Sequence, residues 1–214
     1  MFHIDASQLD HRQLNERIQH SSGTLLITGC LGQRFIGAGA EQGLLEIAGT
    51  PGNALGAYLD GACIEVRGNA QDAVGDTMNG GRIIVHGSSG DAAGYAMRGG
   101  EIYVQGDAGY RAGIHMKAYG DKVPALVIGG TAGSFLGEYQ AGGIILVLGL
   151  SQTGRPIVSN FPCTGMHGGK LYLRSDGSGL RLPGQVKARP AGVDDLTVIT
   201  PDTRNPYRQM YVLN

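Results

Sequence analysis

The stretch "GSSGDAAGYAMRGGEIYVQGDAGYRAGIHM", residues 87–116, carries glycines at spacings of three, four and five. The preceding "GNAQDAVGDTMNGGRIIVHG", residues 68–87, is close to a copy of it. Gly49, Gly68, Gly87 and Gly106 stand 19 residues apart, as do Gly37, Gly56, Gly75, Gly94 and Gly113. Gly137 follows Gly113 by 24, which places an insertion of five around "KAYGD"; Gly130 to Gly149 returns to 19. The unit can be written G-x-x-G-x-x-x-G-x-x-x-x-G-G-x-I-x-V-x-G, with substitutions. A fixed period of this length marks a repeat architecture.

Each unit closes on a short alternating run: "CIEVRG", "RIIVHG", "EIYVQG", "ALVIGG", "IILVLG". Alternation with period two predicts strands. Ile64/Val66, Ile83/Val85, Ile102/Val104, Leu126/Ile128 and Ile145/Val147 then face one way, and Glu65/Arg67 and Tyr103/Gln105 the other. One short strand per 19 residues cannot enclose a core, but stacked copies can. The expectation is an all-β, right-handed parallel β-helix of about seven rungs, ~34 Å long at ~4.8 Å per rung. Its corners need positive φ, which glycine adopts most readily, so Gly56, Gly75, Gly94, Gly113 and Gly137 are read as structural repeat glycines. A phosphate-binding G-x-G-x-x-G loop requires a helix after it, and "GAGAEQG" at Gly37 lacks that pattern.

Composition agrees. Glycine makes up 38 of 214 residues without a collagen period. A net charge of −1 gives no field to attract nucleic acid or an anionic membrane. No apolar run reaches the ~20 residues of a membrane span, and "MFHIDASQ" does not read as a signal peptide. The three scattered cysteines, Cys30, Cys63 and Cys163, suggest reduced thiols and a cytoplasmic protein. They are too few for the four thiolates of an ordinary iron–sulfur cluster.

Three parts are expected: 1–28, a capping helix and lead-in strand; 29–176, the β-helix; 177–214, an extension. In the first, Leu9, Leu14 and Ile18 share a helix side, with Asp5 or Ser7 as N-cap and Gly23 at the stop. In the last, "DDLTVIT" reads as a strand and "NPYRQMYVLN" as an extended tail. Met78, Met97 and Met116, 19 apart, form an inward ladder rather than a cofactor box. Asn53, Asp72 and Asp91 share a column and are expected to bond turn backbone rather than calcium. The apolar residues Ile84, Val127, Leu146 and Leu148 face outward; either a partner or the extension covers them. Some of Tyr58, Tyr95, Tyr103, Tyr110 and Tyr139 are candidates for a contact face. His3, His11, His20 and His86 read as surface or cap residues.

The candidates for chemistry lie where the period breaks: His115 and Lys117 in "GIHMK", and Cys163 and His167 in "FPCTGMHGG". Two histidines and a cysteine suit a metal or a Cys–His pair. The competing reading makes these loops docking surfaces. No catalytic, cofactor or metal residue is assigned on this chain.

The motifs "GTPGNALGAYLDG", "VRGNAQDAVGDTMNGGRIIVHG", "GYAMRGGEIYVQGDAGYRAGIHMK", "IGGTAGSFLGEYQAGGIILVLG", "CTGMHGG" and "NPYRQMYV" resemble the GXGXG domain, the C-terminal β-helix of the glutamate synthase large subunit. They are more similar still to its stand-alone form. The resemblance implies a non-catalytic structural subunit of a glutamate synthase or N-methylglutamate synthase. Its partners would be a class II glutamine amidotransferase and a synthase subunit carrying FMN and an iron–sulfur cluster. It also implies a wall along the route ammonia takes between them. The C subunits of formylmethanofuran dehydrogenase and of the formyltransferase/hydrolase complex are more distant; "GYRAGIHMK" and "CTGMHGG" favour the synthase branch.

Overall fold

The computed structural model describes residues 2–21, 23–150, 156–195 and 211–213. Eleven strands form one sheet: β1 (Phe2–Asp5), β2 (Thr24–Leu31), β3 (Leu44–Thr50), β4 (Asp60–Val66), β5 (Gly80–Val85), β6 (Glu101–Val104), β7 (Ala125–Ile128), β8 (Ala141–Val147), β9 (Gly168–Leu173), β10 (Ala188–Pro190) and β11 (Tyr211–Leu213). Strands β1 to β9 pair in sequence order, all parallel. The chain is thus an all-β parallel solenoid of about seven turns. At its last edge β11 pairs antiparallel with β9, and β10 with β11.

The register explains the alternation. Leu25, Leu45, Ile64, Ile83, Ile102, Leu126, Ile145 and Leu171 lie side by side in consecutive strands. All are buried. Each such side chain contributes about 1.5–3 kcal/mol of hydrophobic stabilisation. Met78, Met97 and Met116 are fully buried, as the ladder reading requires. The next member of that column, Gln140, is also fully buried and donates from Nε2 to Gly142 O and Gly143 O at 3.1 and 3.2 Å.

Opposite the sheet, each turn passes through an arch containing three left-handed residues at i, i+2 and i+4. The seven triplets start at residues 35, 54, 73, 92, 111, 135 and 161, with φ between +49° and +72°. Among the described residues, all thirteen non-glycine residues with positive φ belong to these arches. Positive φ is therefore not reserved for glycine here, contrary to the sequence expectation. The main-chain bonds impose it. Ala54 N and Tyr58 N donate forward to Asp72 O and Asp76 O at 2.9 and 2.8 Å, while Gly56 N donates backward to Ile36 O at 2.9 Å. Only the middle position excludes a Cβ, and it does so where the Cβ would run into an isoleucine of the core, as at Gly37, Gly56, Gly75 and Gly113. At Gly56 it would stand 2.6 Å from Ile83 Cδ1.

The helix α1 (His11–Gln19) forms where expected, but its cap differs. Asp5 belongs to β1, whose main chain is taken up by β2, and Asp5 Oδ1 accepts from Ser7 N at 2.9 Å. Asp10 is the N-cap, accepting from Arg12 N and Gln13 N at 2.8 and 2.9 Å. Gln13 Oε1 accepts from Asp10 N in return, at 3.1 Å, completing a capping box. The helix stops at His20 rather than Gly23; the His20 ring donates to Glu16 O at 2.7 Å. Leu14 and Ile18 are buried, and Asn15 Nδ2 donates to Arg34 O at 3.0 Å, so α1 lies beside the first arch. At the other end Leu180, Leu182 and Val186 pack against the core. Residues 193–195 are helical rather than extended, and the rest of the "DDLTVIT" stretch lies outside the described residues, as does 205–210 of the tail. Among the described residues no helix is long and apolar enough to cross a membrane.

Candidate functional site

The arches carry side chains outward at the first and third left-handed positions and at the residues just before them, and in the later layers rings from these positions meet in two groups. In one, Phe135 meets Tyr110 at 5.4 Å between centroids and Phe161 at 5.3 Å. In the other, His115 stacks on Tyr139 at 5.1 Å with planes 12° apart, and meets Tyr95 edge-on at 6.0 Å. Between them the Arg111 guanidinium lies 4.9 Å from the Tyr110 ring centre and 5.6 Å from that of Phe135. Its Nε is 2.7 Å from Oε2 of the nearly buried Glu138. Such cation–π contacts contribute about 0.5–1 kcal/mol at exposed sites. Phe35, Tyr58, Tyr95, Tyr110, Tyr139 and Phe161 are all exposed. The fold thus gathers most of the tyrosines that looked scattered in the sequence onto one edge of the rod. Tyr103 is the exception: it is on the sheet, beside Glu101.

The four residues at the broken periods are not brought together as one centre. His115 and Lys117 are exposed on the arch, and His167 is exposed two layers further on. Cys163 is fully buried in the core. It occupies the middle, glycine position of the last arch, φ +61°. Burial pushes its thiol up to about 12, and that of Cys30 to about 11. A thiol so placed is neither a ready nucleophile nor a ready metal ligand. Among the described residues no three His, Cys, Asp or Glu side chains could hold a metal together. Cys63 is half-buried in a groove of about 430 Å³ beside Arg82 and Glu101.

The aspartate column bonds main chain as expected, but in the neighbouring layer. Asp72 Oδ1 accepts from Asp91 N at 2.9 Å, and Asp91 Oδ1 from Tyr110 N at 2.8 Å, each one layer on. A second column does the same through Asn69, Ser88 and Asp107.

The outer sheet face is divided. Its first half carries the ion pairs Glu46–Arg67 at 2.9 Å and Arg82–Glu101 at 2.7 Å, and a hydrogen bond between the His86 ring and Glu65 at 2.8 Å. Its second half is the apolar stripe, and the extension packs there. Leu146 and Tyr172 are buried with Val127, Ile144, Leu148 and Ala191 around them. Asp195, nearly buried, fastens this strap, accepting from Arg189 at 2.6 and 3.1 Å and from Gly192 N at 3.0 Å. The Arg189 guanidinium holds the carboxyl down to about 2. Of the two coverings expected for the stripe, the extension is the one found at Leu146.

The fold is a parallel β-solenoid that carries exposed rings along its arches. The sequence matches the profile of the GXGXG motif family over residues 8–189, and the chain belongs to that family, a glutamate synthase-type domain. It is also similar to the uncharacterized protein MJ1350 of Methanocaldococcus jannaschii, with 47% identity over 184 residues that cover 81% of this chain and 70% of that one.

Proposed function

We propose that the chain is a structural, non-catalytic subunit of a glutamate synthase-type complex, making glutamate or N-methylglutamate. It would hold a class II glutamine amidotransferase and an FMN- and iron–sulfur-containing synthase subunit in fixed relation, with its wall along the ammonia route. The supporting observation is the two groups of rings on the arches around Arg111–Glu138. Tyrosine and arginine are the residues that dominate binding energy at protein interfaces. Here they are mounted on main chain bonded to the layers on both sides. Family membership supports the identity of the partners, and the scattered thiols fit a cluster carried by another chain rather than this one.

The test is purification of the tagged chain from its native cells. Retention of a flavoprotein with flavin absorbance and of a glutaminase supports the reading; a chain recovered without either overturns it. In the recovered complex, Tyr139→Ala or His115→Ala should weaken retention about tenfold or more while leaving the free chain folded. Glutamine-dependent turnover with and without methylamine distinguishes the two products.

A further inference from the structure

We infer that the last arch is an open edge that receives one further layer, an extended glycine-containing segment of the partner protein; the inference rests on the subunit reading above. At all six junctions between arches, the first and third left-handed residues donate to two carbonyls four residues apart on the next layer. Phe35 N and Gly39 N reach Asn53 O and Ala57 O at 3.0 and 2.8 Å; Phe135 N and Tyr139 N reach Asn160 O and Thr164 O at 2.9 and 2.8 Å. The corresponding donors of the seventh arch are Phe161 N and Gly165 N, and neither has a main-chain acceptor among the described residues.

Two side-chain columns stop at the same edge. Ser134 Oγ accepts from Asn160 N at 3.3 Å, as Asp72 and Asp91 do in their own layers, and Asn160 is the next member, exposed at the end. The ring column ends on Phe161, which has Phe135 on one face and is 60% exposed. Beside the arch lies a cleft of about 280 Å³ lined by Met166, His167, Gly168, Gln185 and Val186. At the first layer α1 lies beside the arch, joined to it by Asn15 Nδ2 donating to Arg34 O across a cleft of about 390 Å³, and the core at the last layer is covered by Leu180, Leu182 and Val186. Among the described residues, what stays open is the arch main chain.

Donor–acceptor complementarity describes the visitor. It presents two carbonyl oxygens four residues apart, to Phe161 N and Gly165 N. It contains a residue able to take positive φ between them, and one apolar side chain for the cleft between Met166 and Val186. Cys163 adds a limit. Its Cβ stands where, in earlier arches, an isoleucine or leucine of a later strand packs against glycine. The added layer is therefore an arch segment rather than a whole turn. Adding a segment to an unpaired edge is a recurrent mode of recognition, in which main-chain bonds supply the affinity.

The experiment is hydrogen exchange on the full chain, alone and reconstituted with the amidotransferase and flavin subunits. In the free chain the amides of Phe161 and Gly165 should exchange fast, while that of Cys163, bonded to Leu136 O at 2.8 Å, is protected. In the complex, exchange of the peptide covering 159–166 should slow about tenfold or more. Phe161→Glu should weaken assembly about tenfold without lowering the Tm of the free chain appreciably; Arg67→Ala, on the outer sheet, should not. A complex that forms with 159–166 unchanged overturns the inference and leaves the subunit reading standing. Slow exchange of Phe161 and Gly165 in the free chain overturns it too, because the edge is then already closed. Failure to bind either subunit overturns both.

Discussion

Gly56 and Ala54 share a left-handed backbone, with φ +63° and +62°, yet only one of them has to be glycine. The difference is what a Cβ would meet. Gly56→Ala drives a methyl against Ile83 Cδ1 and should destabilise by about 2–4 kcal/mol. Ala54→Gly gives up αL strain and gains chain entropy in the unfolded state, so it should change stability by less than about 1 kcal/mol. Denaturant titration of both reads this directly. Adding Ile83→Val to Gly56→Ala should recover about 1 kcal/mol relative to additivity, because it removes the atom in the way. The glycine column was legible in the sequence up to Gly137. Its last member was not, because the step from residue 137 to residue 163 is 26 rather than 19 or 24. With the phase lost, Cys163 looked like a reactive residue in an irregular loop instead of an inward column member. A thiol reagent at neutral pH should therefore modify Cys63 first, with Cys30 and Cys163 reacting only on unfolding. Fast labelling of Cys163 in the folded chain would contradict its burial.

Elements with their own period were the easiest to foresee. The strands follow from alternation, and the capping box Asp10-x-x-Gln13 was present in the sequence, though Asp5 and Ser7 drew attention first. The strap carries no period, so nothing in its residues said which face it would cover. Its fastening has a pH signature. Asp195 is held below the ordinary carboxylate range by Arg189. The charged, paired form favours the folded strap, so that contribution is full above the unfolded carboxylate value of ~3.9 and disappears as pH falls toward about 2. Amide exchange across residues 188–192 should therefore be constant from neutral pH down to ~pH 5 after correction for intrinsic rates, and rise below ~pH 4. Asp195→Asn should produce the faster exchange at neutral pH, about tenfold. Exchange unaffected by the substitution would mean that Leu146 and Tyr172 hold the strap without the carboxylate.

For the molecule as a whole, 19 residues are the unit of change. Removing residues 69–87 joins Gly68 to Ser88 and keeps every column in phase. The shortened chain should fold cooperatively, with Tm lowered by less than about 10 °C. Removing 69–84 shifts the columns and should leave no cooperative transition in circular dichroism. The stack was legible because each layer repeats its neighbour. The arch face was not, since its rings come from four different columns: Tyr110 and Tyr95 stand one residue before the positions of Phe135 and Tyr139, and those columns carry alanine, aspartate, threonine or glycine in other layers. Only the three-dimensional stacking of layers five to seven brings Tyr110, Phe135 and Phe161 into line. Main-chain bonds in the five inner arches run alternately to the layer ahead and the layer behind, so an inner layer lets go only when both neighbours are considered. Stretched from its two termini in an optical trap, the rod should rip from its ends in a regular sawtooth. Successive peaks would be separated by about 60 Å of released contour, the extended length of one turn less its thickness. Such a body resists bending but unravels under tension, which suits a brace that works in compression.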